Sequence, residues 1–305
     1  MTERKNHLDA IAVVSLIGCC LLWGLNQVAA KVAIAEVPPL QQAALRSIGA
    51  ALLVWGWARW RGIALFERDG TLRGGLLAGT LFAIEFACIF IGLQYTTASR
   101  MVVFLYTSPF VVALGMPLIS RAERLNATQV IGLVIAFAGA ASAFAEGFTK
   151  PAAGDRQWIG DTLGVIAAVL WGATTLAIRA TKLSSASAEK TLLYQLGLSG
   201  VMLAIGALAV GTPLPKGIAG LSTLTLASLA FQTVVVAFAS FLLWFWLMRR
   251  YPATRMASFT LLTPVFGLLL GALLLGEPIT ARLVLALAAV SAGIVMVNRA
   301  KPAAR

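Results

Sequence analysis

Charge and histidine are scarce in this chain. Only 12% of its 305 residues are Asp, Glu, Lys or Arg, about half the share of an ordinary soluble domain. The one histidine, His7, stands in the polar N-terminal stretch. The three cysteines, Cys19, Cys20 and Cys88, form no C-x-x-C pair, and Cys19–Cys20 in an apolar run read as small packing residues. These shortages argue against a histidine-based metal site and a Ser-His-Asp triad. There is no G-x-x-x-x-G-K-S/T loop to cradle a nucleotide, so the chain carries no ATP motor. No basic–aromatic nucleic-acid module is present either. No cofactor or nucleic-acid partner is expected.

What the chain has instead is hydrocarbon. Apolar residues make up 59% of it, and the mean hydropathy is +0.88. A single water-exposed globule could not hide that much apolar surface. A bilayer-crossing helix needs about 20 mostly apolar residues. Windows of that length give ten spans, roughly 11–30, 38–58, 73–95, 99–119, 128–146, 159–178, 190–210, 222–247, 255–275 and 281–298. The fold class expected is an all-α integral membrane protein.

The net charge of +12 has a source in the membrane. With the N-terminus placed in the cytoplasm, seventeen Lys and Arg fall on that side and six on the other, leaving Arg46 inside a span. Such a bias puts both termini in the cytoplasm. Trp55, Trp57 and Trp60, beside Arg59 and Arg61, read as an interfacial aromatic belt.

The two halves resemble each other. Trp23-Gly24 recurs as Trp171-Gly172. Ala98-Ser99-Arg100-Met101 with Ser108-Pro109 recurs as Ala253-Thr254-Arg255-Met256 with Thr263-Pro264, at a constant offset of 155 residues. This divides the chain into repeats at 1–150 and 151–305. Each holds five spans, an odd number, so consecutive copies are expected to enter the membrane from opposite sides. Inverted repeats are a recurring architecture of secondary transporters.

Polar residues inside the spans mark where a solute could bind. Glu85 stands near the middle of the third span, and an intramembrane ionisable group is a functional hypothesis by default. Here it is a candidate proton site, with Arg46 as its partner or as a snorkelling residue. Trp23, Asn26 and Gln27 lie on the first span, and Trp171 and Thr175 on the sixth. Gln232, Ser240 and Trp244 lie on the eighth, Tyr106 on the fourth and Ser258 on the ninth. Many recur every three or four residues, which puts them on common helix faces. Faces converging from spans 1, 3, 4, 6, 8 and 9 favour a cavity. Spans 2, 5, 7 and 10 read as poorer in polar residues. Pro109 and Pro264, at matched positions, are candidate gating bends.

The run Trp23-Gly24-Leu25-Asn26-Gln27-Val28-Ala29-Ala30-Lys31 resembles the opening of an EamA-type carrier of the drug/metabolite transporter superfamily. So do Val37-Pro38-Pro39, Ser108-Pro109, Thr263-Pro264-Val265 and the Gly276-Glu277-Pro278 turn. The resemblance implies ten helices in an inverted five-plus-five repeat, a cavity lined by spans 1, 3, 4, 6, 8 and 9, and export of small metabolites from the cytoplasm. Amino-acid exporters are a prominent group of that family, the YddG-like exporters of aromatic amino acids among them. The expectation is therefore an inner-membrane secondary transporter that exports amino acids by alternating access. The alternative is a carrier of nucleotide sugars or lipid intermediates. Their phosphates need buried cations, and only Arg46 and Lys31 are at hand. A membrane-embedded enzyme is a third reading, against which stand the missing intramembrane histidine and the single mid-span acid.

Overall fold

The computed structural model describes residues 9–119, 126–149, 151–211, 220–251 and 259–299, and all regular structure among them is helical. The first half holds α1 (Ala10–Ile34), α2 (Pro39–Trp60), α3 (Leu72–Gly92), α4 (Ala98–Leu105), α5 (Ser108–Ile119) and α6 (Ala127–Thr149). The second holds α7 (Gln157–Ala180), α8 (Ala188–Ala209), α9 (Thr223–Ala230), a π-helical segment (Phe231–Ser240), α10 (Phe241–Arg250), α11 (Leu262–Leu275) and α12 (Ala281–Arg299). The helices α4 and α5 form one broken span, and α9, the π segment and α10 form another, which gives ten spans. Seven of these are long and apolar enough to cross a bilayer. The short helices α11 and α12 are apolar too.

The remaining span, α2, is the exception, and its sequence explains why. Gln41, Gln42, Arg46 and Ser47 all lie on α2 and all are buried. The second span is therefore not polar-poor, as its sequence suggested. It carries a polar stripe into the bundle, and packing against other helices hides that stripe from lipid.

Helix ends follow local chemistry. Asp9 caps α1 by accepting from the Ala12 amide at 2.9 Å, and Pro39 opens α2 where its missing N–H costs nothing. Thr97 caps α4 through the Arg100 amide at 3.1 Å. The break in the fourth span falls at Tyr106–Thr107, just ahead of Pro109. Pro109 is the second residue of α5, and Pro264 lies in the first turn of α11. Both prolines thus occupy positions that need no donor.

The major helix pairings come in couples related by exchanging the halves. The first span (α1) packs on the ninth (α11), and the sixth (α7) packs on the fourth (α4 and α5). Likewise α3 packs on α7, while α1 packs on α9 and the π segment. The pairs α2–α8 and α6–α12 are their own counterparts. The repeated Trp-Gly motif accounts for the first couple. A Cβ on Gly24 would lie 2.8 Å from the backbone nitrogen of Gly267, and one on Gly172 would lie 2.5 Å from Cβ of Val111. Each glycine lets its span touch the matching span of the other half. Gly132 does the same for α6 against α12, where an added Cβ would come 3.0 Å from the carbonyl oxygen of Gly293.

Substituting Gly24 by Val is expected to cost about 1–3 kcal/mol of stability, because the clash is with backbone that cannot move aside. Gly18→Ala, at a position with open space around it, is expected to be neutral. Thermal unfolding of the two variants in detergent checks this pair of outcomes.

Candidate functional site

The centre of the bundle gathers side chains from α1, α2, α3 and the eighth span. Trp23 donates from Nε1 to Ser240 Oγ at 2.9 Å, and its ring meets Trp244 edge-on with centroids 5.2 Å apart. Phe241 lies at 6.3 Å from Trp23 and also under the Arg46 guanidinium. Arg46 stacks on Phe86, its carbon 4.3 Å from the ring centroid, and Glu85 is the carboxyl whose charge acts on it. One turn before Arg46, Gln42 donates to Gln232 Oε1 and to the Ala30 carbonyl, both at 3.2 Å.

Much of this polar group is left without partners. Asn26 Oδ1, Gln27 Oε1, Gln42 Oε1, Ser47 Oγ and Gln232 Nε2 have none. The same holds for Arg46 Nε and Nη1 and for Glu85 Oε2. Gln42 and Gln232 are fully buried, Arg46 is 1% exposed and Glu85 4%. Arg46 therefore does not snorkel. Buried polar atoms are normally hydrogen-bonded, and charged ones left unpaired are the most costly. Unpaired atoms from α1, α2, α3 and the eighth span make this the candidate functional site. Phe86 and Phe241 lie against the Arg46 guanidinium, and Phe82 packs on Phe86.

Other expected site residues fall elsewhere. Tyr106, at the break in the fourth span, meets Trp171 edge-on at 5.9 Å. Thr175 spends its hydroxyl on the Trp171 carbonyl at 3.1 Å. Ser258 lies outside the described residues. The helix break beside Pro109 is present, and Pro264 sits at the start of α11. Sequence reading undervalued Arg46 and missed Gln42. Their spacing of four residues was a usable sign, since it places both on one face of α2.

The π segment positions Gln232 and Ser240. Such wide turns are rare and occur often at functional sites. Its buried residues are Gln232, Val236, Ala237 and Ser240.

Near one end of the bundle, by contrast, the charged groups have hydrogen-bond partners. Arg100 donates from Nη2 to Asp161 Oδ2 at 2.6 Å and from Nη1 to Glu146 Oε2 at 3.3 Å, and also reaches the Ala143 carbonyl. Thr96 and Thr280 donate to the same two acids at 2.6 and 2.8 Å. Lys31 Nζ donates to the Leu93 carbonyl at 2.9 Å and to that of Thr96. Glu277 accepts from the Ala98 and Ser99 amides at 2.7 and 2.9 Å and from the Ser99 hydroxyl at 2.6 Å. It thereby caps α4 from the other half of the chain. Gly276, at φ 66°, takes the left-handed position that turns Glu277 back toward α4. These bonds tie spans 1, 4, 5, 6 and 10 together.

The opposite end is held by a more exposed contact. Lys190 Nζ donates to Asp69 Oδ2 at 2.8 Å, and Thr71 donates twice to Asp69 Oδ1. The Lys190 and Thr71 hydrogen bonds hold the Asp69 carboxyl well below the usual carboxylate range.

A bundle of apolar helices with unpaired polar groups at its core and sealed charges near one end is the build of a membrane carrier. The chain belongs to the EamA-like transporter family, whose profile matches it twice, over residues 10–145 and 158–299. It is thus a carrier of the drug/metabolite transporter superfamily and not an enzyme. It is 28% identical over 281 residues to the uncharacterized transporter YvbV of Bacillus subtilis, covering 91% of this chain and 88% of that one. It is 27% identical over 285 residues to a probable amino-acid metabolite efflux pump of Escherichia coli, covering 91% and 89%. A solved crystal structure with 18% identity superposes with a TM-score of 0.65, covering 94% of this chain and 97% of that one, and bears on the fold alone.

Replacing Arg100 by Ala leaves Asp161 and Glu146 buried without their cation and is expected to cost about 3–5 kcal/mol, read as a lower unfolding temperature in detergent. Asp69→Asn acts through a different balance. A depressed folded-state pKa contributes stability above the unfolded value, near 3.9, and loses it as the pH falls through the folded value. The difference in unfolding temperature between wild type and Asp69→Asn is therefore expected at pH 7 and should shrink on acidification below the usual carboxylate range.

Proposed function

We propose that the chain is an inner-membrane exporter of amino acids or similar small zwitterions, with both termini in the cytoplasm. It works by alternating access between two five-helix repeats of opposite topology, residues 1–150 and 151–305. The observation that carries this reading is the group of unpaired polar atoms around Gln42, Arg46, Glu85 and Gln232. A passive helical bundle gains nothing from leaving them unpaired, whereas a carrier needs groups that replace the hydration of its solute.

Several features support the reading. The family profile matches once per half, and a unit with an odd number of spans reverses its sense when duplicated. The exchange-related helix pairings fit two halves that rock about a shared centre. One relative is named a probable amino-acid metabolite efflux pump. Trp23, Phe241 and Trp244 supply apolar faces next to the polar centre, suited to an apolar or aromatic side chain. The Arg100 network serves as the closed gate of this conformation, on the side that the positive-inside count assigns to the exterior. The cavity of about 400 Å³ bordered by Glu36, Pro38, Ile91 and Gln94 lies near that end, away from the polar centre. Glu85 is the candidate proton site. A carrier of phosphorylated solutes is disfavoured because Lys31 is engaged with backbone carbonyls, and Arg100 and Lys190 with carboxylates, so none of them joins Arg46 in taking a phosphate.

Liposomes containing the protein and loaded with a labelled amino-acid mixture are expected to release label faster than protein-free liposomes. Trp23→Ala is expected to slow that release by about tenfold, the worth of one aromatic anchor. Release equal to that of protein-free liposomes for every amino acid would refute the assignment.

A further inference from the structure

We infer that Arg46 and Glu85 are the two poles of the solute site, Arg46 receiving the carboxylate of an α-amino acid and Glu85 its ammonium group. The inference rests on the exporter reading above and assigns its chemistry to two side chains.

A comparison within the structure points to it. Among the described residues two arginines are buried, Arg46 and Arg100, at 1% and 3% exposure. Around Arg100 the fold supplies two carboxylates and a carbonyl. Around Arg46 it supplies aromatic faces, Phe86 at 4.3 Å and Phe241 at 6.0 Å, and leaves Nε and Nη1 with no acceptor. Aromatic rings hold a cation in place without using its N–H groups. A guanidinium so held keeps these two N–H donors, on different edges of its plane, for charge-assisted bonds to a carboxylate. Gln42 and Gln232 stand one turn away with an unpaired acceptor and an unpaired donor.

Glu85 completes the arrangement. It lies on α3 with Phe86, near enough to Arg46 for its charge to act on the guanidinium. Its Oε2 is buried and unpaired, ready to accept from an ammonium group. The charge count matters in a medium of low dielectric. A cation and an acid together offer opposite poles, and a zwitterion matches both without adding net charge. An anion or a cation alone matches one pole and leaves the other unanswered. Trp23 and Trp244, reached through Phe241, then face the side chain of the solute.

The test is counterflow into liposomes containing the full-length wild-type protein, first with a labelled mixture of the standard amino acids. The one carried fastest is then challenged with three unlabelled competitors: itself, its carboxamide, and the acid lacking its amino group. Both analogues are expected to compete roughly tenfold or more weakly than the parent, as the loss of one charged hydrogen-bonded contact dictates. Arg46→Gln should slow counterflow by a similar factor and erase the preference for parent over carboxamide. Glu85→Gln should erase the preference for parent over the deaminated acid. The wild-type competition needs no variant to fold. If amino acids are carried but both analogues compete as well as the parent, the assignment of the two poles falls and the exporter reading stands. If no amino acid is carried, the exporter reading falls and takes the poles with it.

Discussion

Hydrocarbon offers a polar atom nothing to bond to, so each polar side chain within a bilayer must find a partner inside the protein or be held for one that arrives. This chain does both. Near one end, Arg100, Asp161, Glu146, Thr96 and Thr280 satisfy one another almost completely. At the centre, Arg46, Glu85, Gln42 and Gln232 do not. The two arrangements differ in what they do to the fold. A satisfied network holds spans together, and an unsatisfied one leaves a standing cost inside the bundle.

The backbone irregularities serve the same division. The π segment of the eighth span and the left-handed Gly276 both lie beside polar groups, those of the centre and those of the sealed end. In a regular span each would expose backbone to lipid. Here neighbouring helices surround them, with the glycines of the Trp-Gly motifs allowing α1 and α7 to approach closely. Gly276 also shows how the halves are joined, because it directs Glu277 of the second half onto the first turn of α4 in the first.

The fold was largely legible in the sequence. Apolar windows located the spans to within a few residues, because the bilayer forces a similar length on every crossing segment, although the start of the ninth, expected at 255, lies outside the described residues. The Trp-Gly motif was readable as a repeat, and its reason, contact between matching spans, needed coordinates. The site was legible in part. Trp23, Ser240 and Trp244 do meet, as a shared helix face suggested. Tyr106 and Trp171 meet as well, but as a separate pair. The second span was misread, since Gln42 and Arg46 gain their meaning only when Gln232, Glu85 and Phe86 are brought to them from distant parts of the chain. The π segment has no residue signature at all. It arises from how the eighth span packs, and no local propensity in Phe231–Ser240 announces it.

The central claim is that solute and water reach the unpaired group from each face of the membrane in turn. Thiol labelling tests it most directly, with Cys19, Cys20 and Cys88 replaced and Asn26→Cys introduced at the polar centre. The account predicts that a membrane-impermeant thiol reagent modifies this position in sealed vesicles of both orientations, and that a transported amino acid slows the reaction. A thiol that is unreactive from either side, with or without solute, would contradict it.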